Sequence, residues 1–473
     1  MPSSTPTVAM VATARPTFAV DVAARLAAQA RDLLTELGAD VVGPDGLVLT
    51  PDDVSTAAAA IGPALADADL VVHVCASFSD ASPGLALYQD LDRPVLLWSF
   101  REPGEDGDRL WLNSMCGANL LGHALTRAGG AVRHLHGNTD EPRVRDALSR
   151  ALAGELPPAA SLPANQGTRA ELGDTRQALD RLDGRTLGVI GDAPPGFTPS
   201  EYDAELLRKT FGIRVLGMEV DEVFDRVRRG DADAAERERL DAVTAQPSLT
   251  GVAGEQVRLH AAVTTALRGW TEQEQLDAVA VRCWPEFPTQ LGVCPCSSLS
   301  RLADAGTPTT CERDVYGAVT MLLLEALGSG PTYLVDTVDL DEDQDVVRLW
   351  HCGSAATSLA ADPSRATQSV HCNRKIGVAG DFPLRPGPVV LARLTENPHG
   401  SGLRLLIAHG ESLEAPNRFQ GNTATVRLDT DAADFVNGLV TGGFPHHTVL
   451  AWTDVRPALR TAADLLGIPV VEW

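Results

Sequence analysis

The chain has 473 residues, of which 44% are hydrophobic and 22% are charged, and its formal net charge is −24. This length exceeds the roughly 250–300 residues that one hydrophobic core can organise, so we expect two or three globular domains. The acidic balance opposes binding to nucleic acid or to an anionic membrane, because phosphate contacts require clustered Lys and Arg.

Targeting signals and cysteine usage point to a cytoplasmic protein. No run of about 18 uninterrupted apolar residues predicts a membrane span, and the N-terminus lacks the pattern of a signal peptide. Eight cysteines scattered through a chain of this size favour buried thiols over a disulfide framework. Cys294 and Cys296 are close in sequence, but no second pair with zinc-binding spacing accompanies them.

Residues 1–160 are predicted to form an α/β domain. Apolar runs typical of buried strands occupy residues 7–12, 41–42, 70–74, 94–98 and 131–135. Helical spacing of apolar residues is found over 20–37, 54–66, 85–91 and 114–127. Strands that alternate with helices predict a doubly wound parallel sheet, in which ligands bind at the carboxyl ends of the strands.

A second α/β domain is predicted over residues 174–330. It follows a segment over 152–173 that is rich in Ala, Pro, Ser and Gly and predicts a linker. Strands are predicted at 185–190, 215–218 and 278–283, and helices at 201–210, 221–229 and 254–270. The first of these strands ends in a GVIGD turn without GxGxxG spacing, so we expect no nicotinamide cofactor.

Residues 331–473 have a different pattern, which predicts a β-rich domain. Short β-like runs separated by Gly, Pro and Asn lie at 346–350, 388–394, 403–409, 422–428 and 448–452. This spacing is typical of a small antiparallel barrel. A helix over 455–466 and a strand over 468–472 are predicted to close the chain.

Two carboxylates between these domains are candidates for chemistry. Glu312 precedes an apolar helix predicted over 315–327, and Asp336 follows a short strand predicted over 332–335. Glu312 or Asp314 could simply cap the helix, which is worth about 0.3–1 kcal/mol, and Asp336 could be a turn residue. At the end of a strand and the start of a helix, the two acids could equally bind a ligand.

Histidines in the last third of the chain could complete a metal site. His351 ends a strand pattern, His371 begins a polar run, and the pair His446-His447 precedes an apolar strand. A lone histidine usually has a structural role, but two carboxylates with imidazoles suit a divalent ion such as Mn²⁺ or Mg²⁺. Such a site could polarise a carbonyl and move a proton between carbons, although the spacing does not exclude hydrolysis.

Several motifs together resemble the L-fucose isomerase family. The segment CERDVYGAVTMLLLEALGSGPTYLVD is similar to the family's metal-site region, in which an Asp follows a helix-opening Glu by 24 residues, as Asp336 follows Glu312. GGFPHHT resembles a motif of the related L-arabinose isomerases, and PGPVVLARL and HGESL resemble the C-terminal domain of the family. The order of two α/β domains and a β-rich domain is also similar.

The resemblance implies a metal-dependent isomerase that interconverts an aldose and a ketose through a cis-enediol. Glu312 and Asp336 would form the acid/base pair and bind Mn²⁺, with Mg²⁺ or Co²⁺ as alternatives. His447 would be a third ligand and His351 a further one. The family's usual trimers or hexamers imply a homo-oligomer in which a neighbouring subunit's first domain covers the site.

Other residues are expected to contact the sugar, and they are Phe78, Trp98, Trp284, Glu286, Arg374 and His446. Phe78 and Trp98 would cover the site, although either could be a core residue. Trp284 and Glu286 lie where the family contacts sugar, without a clear match. Arg374 and its neighbour Lys375 could hold a sulfonate or phosphate on the substrate, or could be ordinary surface charges.

Three hypotheses for the function remain open at this point. The first is an isomerase of a neutral sugar of the L-fucose type. The second is an isomerase of a sulfonated or phosphorylated hexose such as sulfoquinovose. The third is a non-catalytic sugar-binding protein with two α/β domains around a cleft, although such binders are exported and need no metal cluster.

Overall fold

The first sheet occupies the N-terminal third of the chain. The computed structural model describes residues 5–165, 167–245 and 249–473. The strands of the first sheet are β1 (Thr7–Thr13), β2 (Asp40–Val42), β3 (Leu47–Val48), β4 (Leu70–Cys75), β5 (Val95–Ser99) and β6 (Val132–His136). They pair in the order β2-β1-β4-β5-β6, with β3 beside β1, and all of these pairings are parallel.

Four helices connect the strands of the first sheet, and a fifth follows its last strand. They are α1 (Val20–Glu36), α2 (Pro51–Leu65), α3 (Ser82–Tyr88), α4 (Ser114–Arg127) and α5 (Pro142–Leu152). The apolar spacing explains their packing, since α1 buries Ala23, Ala27, Ala30 and Leu34 on one face. Helix α4 buries nearly all of its residues, and the turn before it reaches the functional cavity.

The second sheet is smaller and also parallel. Its strands are β7 (Thr186–Ile190), β8 (Arg214–Met218), β10 (Ala278–Val281) and β11 (Thr309–Thr310), in the order β11-β10-β7-β8. The strand β9 (Leu249–Thr250) pairs instead with the third sheet. The helices of this part are α6 (Leu172–Asp180), α7 (Ala204–Phe211), α8 (Val220–Arg229), α9 (Ala232–Ala245), α10 (Gly254–Glu274), α11 (Cys296–Asp304) and α12 (Val315–Ala326).

The third sheet is large and mixed. Its remaining strands are β12 (Thr332–Asp341), β13 (Val346–His351), β14 (Thr367–Val370), β15 (Gly377–Pro383), β16 (Gly387–Glu396), β17 (Leu403–Leu413), β18 (Asn422–Leu428), β19 (His447–Ala451) and β20 (Val470–Glu472). Six of them pair antiparallel in a closed ring, in the order β12-β13-β18-β17-β16-β19. Helices α13 (Ala432–Thr441) and α14 (Arg456–Leu466) belong to this part. The ring agrees with the predicted antiparallel barrel, within a larger mixed sheet than predicted.

The prediction that a strand ends before Asp336 is wrong. Strand β12 continues to Asp341, so Asp336 lies in the middle of the strand. Its acidic second half stays in the sheet because Arg348 on β13 binds Asp339 at 2.7 Å and Asp341 at 3.0 Å. Asp336 is therefore placed by strand register in the antiparallel ring and not by the carboxyl end of a parallel strand.

No helix among the described residues combines the length and apolar character that a membrane crossing requires.

Candidate active site

The register of the closed ring brings three predicted metal ligands together. Asp336 on β12 lies opposite His447 on β19 and opposite Trp350 on β13, and His351 follows Trp350. Side chains that face each other across two strands have Cβ atoms about 4.5–5.5 Å apart. Donor atoms of Asp336, His351 and His447 all lie within 4.8 Å of one another.

Glu312 reaches the same point from the turn before α12. The backbone of Glu312 and Arg313 is left-handed, with φ of 57° and 58°. Such a conformation costs about 1–3 kcal/mol in a residue other than glycine and persists only where neighbours fix it. Here the Ser200 hydroxyl donates to the Glu312 carbonyl, and Nε1 of Trp284 donates to Glu312 Oε1 at 3.2 Å. The turn thereby aims the second carboxylate oxygen, Oε2, at the histidine pair.

Nε2 of His447 is the centre of the cluster. It lies 3.4 Å from Glu312 Oε2 and 3.3 Å from Asp336 Oδ1. Nε2 of His446 lies 3.3 Å from the same oxygen of Glu312 and 4.0 Å from Asp336 Oδ1. Nε2 of His447 thus lies close to both Glu312 and Asp336, although the three residues are far apart in the sequence.

Asp314 has two roles in this arrangement. It caps α12, since its Oδ1 accepts the backbone N–H of Gly317 at 2.8 Å, so the capping interpretation is right for this residue. Its Oδ2 also accepts from Nδ1 of His447 at 2.9 Å, and the fully buried Arg393 pairs with both oxygens. A carboxylate on Nδ1 fixes the tautomer of the ring and leaves Nε2 free to bind a metal.

The electrostatics of the cluster favour a bound cation. Burial raises the pKa of Asp336, the charge of His447 opposes this and that of Glu312 adds to it, so a cation near both carboxylates would stabilise their charged forms. Burial lowers the pKa of His351 to about 3, so this ring is neutral, as a metal ligand must be. Burial lowers the pKa of His447, but its contacts with Asp314 and Glu312 outweigh burial and raise it to about 10, so a metal bound at Nε2 would have to displace the proton there.

The donor atoms also fit a divalent ion by their geometry. Among the described residues, Asp336 Oδ1, His351 Nε2 and His447 Nε2 are buried without a hydrogen-bond partner. Two donors that each lie about 2.0–2.2 Å from one ion can be up to roughly 4.4 Å apart, and the 3.3 and 3.4 Å distances fall within that limit. His447 could therefore share an ion with either carboxylate, in the group of Asp336, His351 and His447 or in the group of Glu312, His446 and His447.

A cavity opens beside this cluster and includes most of the predicted sugar contacts. Phe78, Trp284, Arg374 and His446 line it, together with Glu312, Asp336 and His351. The ring of His446 packs against Phe78, with 6.0 Å between ring centroids, and against Phe197 at 5.6 Å. These aromatic rings lie beside Glu312, whose Oε2 is 3.3 Å from Nε2 of His446.

Two predicted sugar contacts lie elsewhere, and both predictions are wrong. Trp98 is fully buried in the core of the first sheet, where its Nε1 donates to the Gly137 carbonyl at 2.9 Å. Glu286 pairs with Arg282, four residues earlier, at 2.6 Å and does not line the cavity. Trp98 lies near the end of a strand and Glu286 lies close to Trp284 in sequence, which is why both were predicted to contact sugar. Neither side chain lines the cavity.

Sequence reasoning missed four cavity residues from the first third of the chain, one of which is Thr17. Arg15 and Phe18 lie between β1 and α1, and Asn113 immediately precedes α4. Arg15 follows the carboxyl end of a parallel strand, which is the general signal for a ligand contact. Asn113 has a left-handed φ of 50°, and its backbone N–H donates to the buried Glu102.

Four cysteines with free thiols form part of the cavity wall. All eight are free and buried, as predicted, and Cys283, Cys294, Cys296 and Cys352 line the cavity. The sulfurs of Cys296 and Cys352 are 3.7 Å apart. Burial raises the pKa of Cys294 to about 12, so its thiol stays protonated at neutral pH.

Comparison with known proteins gives relatives along the whole chain. Residues 349–473 match the family described as the L-fucose isomerase C-terminal domain. A sulfoquinovose isomerase of Alkalicoccus urumqiensis is 34% identical over 98% of this chain and 99% of its own. Sulfoquinovose isomerases of Priestia aryabhattai and of Clostridium sp. (strain MSTE9) are 31% and 30% identical, covering 98% and 96% of both chains respectively.

Two solved structures that align with this chain do so with low scores, and neither supports an argument. A structure of A-type ketoreductases from a modular polyketide synthase aligns at 17% identity and a TM-score of 0.23, covering 69% of this chain and 78% of that one. A glucose-galactose binding protein from Geobacillus stearothermophilus aligns at 13% identity and a TM-score of 0.18, covering 69% and 92%.

Site and relatives together define a class of enzyme, which is an intramolecular oxidoreductase that interconverts aldoses and ketoses. The chain belongs to the L-fucose isomerase-like family, and its relatives over the full length are sulfoquinovose isomerases. The hypothesis of a non-catalytic sugar-binding protein is therefore wrong.

Proposed function

We propose that this enzyme isomerises sulfoquinovose, a glucose with a sulfonate on C6, to the corresponding 6-sulfonated ketose. The sequence leaves a neutral and an anionic sugar open as substrates, and we choose the anionic one. The names of the relatives support it, and so does the charge of the cavity wall beside Trp284.

Two arginines without acidic partners carry the substrate proposal. The guanidinium carbons of Arg15 and Arg374 lie 4.2 and 5.8 Å from the ring centroid of Trp284, and both side chains line the cavity. Within the described part of the chain, neither side chain has a hydrogen bond or ion pair to a carboxylate. Burial and then the charge of Arg374 lower the pKa of Arg15 despite the opposite effect of Asp80 and Glu312, and a bound anion would offset the repulsion between the two arginines. A neutral sugar offers these cations no counter-charge.

The other end of the cavity would hold the metal. We propose Glu312, Asp336, His351 and His447 as ligands of a divalent ion, with Mn²⁺ favoured and Mg²⁺ or Co²⁺ as alternatives. When bound, the ion would polarise the substrate carbonyl and orient the oxygens on C1 and C2. Asp314 would keep His447 in the tautomer that binds metal.

We assign the proton transfers to Glu312 and Asp336. One carboxylate takes the proton from C2 of the open-chain aldose, the C–H electron pair becomes the C1–C2 double bond of a cis-enediol, and the second carboxyl group, which starts protonated, gives its proton to O1. The first group then returns its proton to C1, the second takes the proton of O2, and O2 becomes the ketose carbonyl. Nothing is gained or lost overall, and two carboxylates near the reacting carbons are sufficient for these steps.

The first sheet of the same chain contributes to the cover of this site. Phe78 packs against both Phe197 and His446, with 5.8 Å between the Phe78 and Phe197 rings. Rings in this place would exclude water from the proton transfers. The homo-oligomer and the cytoplasmic location remain proposals, and a neighbouring subunit would add to this cover without supplying Phe78.

The test is direct conversion of the substrate. Sulfoquinovose, D-glucose and L-fucose are incubated separately with Mn²⁺-loaded enzyme, and ketose formation is followed by ¹³C NMR. We expect the sulfonated ketose from sulfoquinovose and at least 100-fold slower conversion of the neutral sugars. Ketose from L-fucose but not from sulfoquinovose would restore the neutral-sugar hypothesis.

A further inference from the structure

A short turn presents His371 and Arg374 on the same cavity wall. The backbone N–H of His371 donates to the Ile376 carbonyl, and that of Lys375 donates to the His371 carbonyl, both at 2.9 Å. Lys375 completes the turn with a left-handed φ of 58°. The side chains of His371 and Arg374 both line the cavity that contains Glu312. The turn therefore places both residues on one wall of the cavity.

The tautomer of His371 is fixed by its own turn. Nδ1 of the ring accepts the backbone N–H groups of Asn373 at 3.2 Å and Arg374 at 3.3 Å. A ring nitrogen that accepts cannot carry the proton, so the neutral ring carries it on Nε2. Burial, followed by the charges of Arg374 and Lys375, lowers the pKa of His371 to about 3. The ring is thus a neutral hydrogen-bond donor at physiological pH.

We propose that Nε2–H of His371 is the third, uncharged donor of a sulfonate subsite whose two charged donors are Arg15 and Arg374. This inference rests on the proposed function and names a specificity-determining residue for the same site. A sulfonate has three acceptor oxygens and a single negative charge. Two guanidinium groups already provide more positive charge than it carries.

A neutral donor suits the third oxygen better than another cation would. The two arginines are close enough to Trp284, and to each other, for the charge of Arg374 to lower the pKa of Arg15. A third cation would add repulsion in the free enzyme, whereas an N–H group adds a hydrogen bond without charge. Because the donor is fixed by two backbone bonds, it would not need to be ordered when the substrate binds.

Two variants of His371 test the roles of its two ring nitrogens separately. In His371→Asn the side-chain oxygen can replace Nδ1 and keep the turn, but no donor reaches the place of Nε2. In His371→Gln the amide nitrogen can replace Nε2 while the bonds to the turn are lost. We expect His371→Asn to raise KM for sulfoquinovose roughly 10-fold or more with little change in kcat, because a hydrogen bond to a charged group is lost. His371→Gln should regain most of that KM.

Calorimetry on the Mn²⁺-loaded enzyme gives a second readout. Ethanesulfonate probes the proposed subsite, and D-glucitol, a neutral open-chain analogue, probes the metal end. His371→Asn should weaken ethanesulfonate binding roughly 10-fold and leave D-glucitol binding unchanged. Equal losses for both ligands, or no loss for ethanesulfonate, would overturn the inference.

Nitrogen NMR tests the tautomer without any ligand. With ¹⁵N-labelled histidine and His371→Asn as the assignment control, His371 should show a protonated Nε2 and a bare Nδ1 that do not change between pH 5 and 9. A ring that titrates in this range would contradict the inference. Failure of the wild type to convert sulfoquinovose would instead overturn the proposed function, so the two outcomes are distinguishable.

Discussion

The two ends of the cavity are built by different means. At the proposed metal end, strand pairing sets the geometry, because Asp336 and His447 face each other across β12 and β19. At the proposed anion end, loops supply the groups, with Arg15 after β1 and the turn at 371–376 after β14. The proposed metal ligands thus lie on a rigid ring and on the turn beside it, while the groups proposed to select the substrate lie where loops can vary.

Trp284 connects these two ends. Its Nε1–H holds Glu312, while Arg15 and Arg374 lie over or beside its ring. The comparison therefore predicts different effects for substitutions at the two ends. Changes at the metal end should reduce turnover of every sugar, and changes at the anion end should reduce only the use of sulfonated sugar.

The largest effect is expected at the acid/base pair. Glu312→Gln and Asp336→Asn each remove a proton carrier and a metal ligand, so kcat should fall roughly 10³-fold or more for any sugar. Steady-state kinetics with sulfoquinovose measures the loss, and circular dichroism checks that the variants are folded. A variant with more than a tenth of wild-type kcat would remove that residue from the proposed mechanism.

Asp314→Asn should come next, because it acts through His447. The carboxylate that fixes the ring is lost, and Arg393, which is fully buried, is left without its charge partner. We expect metal affinity to fall about 10–100-fold and the free energy of unfolding to fall by about 3–5 kcal/mol. Mn²⁺ titration by electron paramagnetic resonance and urea denaturation measure the two effects. Unchanged Mn²⁺ affinity in a folded variant would show that Asp314 has only its capping role.

Arg15→Gln and Arg374→Gln should affect one end only. Each removes a charged donor, so kcat/KM for sulfoquinovose should fall roughly 10–100-fold. Binding of D-glucitol, measured by calorimetry, should stay within about twofold of wild type, because the metal end is unchanged. Arg25→Gln, at an exposed position on α1, is the matched control. An equal loss for the neutral ligand would mean that the two ends are not separable.

Trp284→Phe tests the connection itself and should have the smallest effect. The ring remains as a surface for the arginines, but the hydrogen bond to Glu312 is lost. We expect kcat to fall about 3–10-fold with KM for sulfoquinovose nearly unchanged. A change confined to KM would place Trp284 in substrate binding alone.

The sequence predicted more residues of the proposed metal end than of the proposed anion end, for a physical reason. Glu312, Asp336, His351 and His447 stand at fixed separations because strands and a helix hold them, so a motif can carry them. Even so, Asp336 was expected at a strand end, since the acids after it are typical of a turn. Their pairing with Arg348 on the next strand is not visible in the local sequence.

The anion end depends on contacts between distant segments. Arg15 and Arg374 meet only because the first and third sheets pack around Trp284, and no local pattern predicts that meeting. From the sequence alone, Trp98 could not be told apart from an aromatic residue that contacts sugar, but it is a core residue. Helix α13 was also missed, because Asp, Asn and Gly in its sequence resemble a loop, although Asp431 caps it and it buries Phe435.

The central claim is that Glu312, Asp336, His351 and His447 bind one and the same ion. Anomalous diffraction from a crystal soaked in Mn²⁺ tests it most directly. We predict one strong manganese peak at about 2.0–2.4 Å from Glu312 Oε2, Asp336 Oδ1 and Nε2 of both histidines. A peak elsewhere, for example at the sulfurs of Cys296 and Cys352, with none at this cluster, would contradict the account.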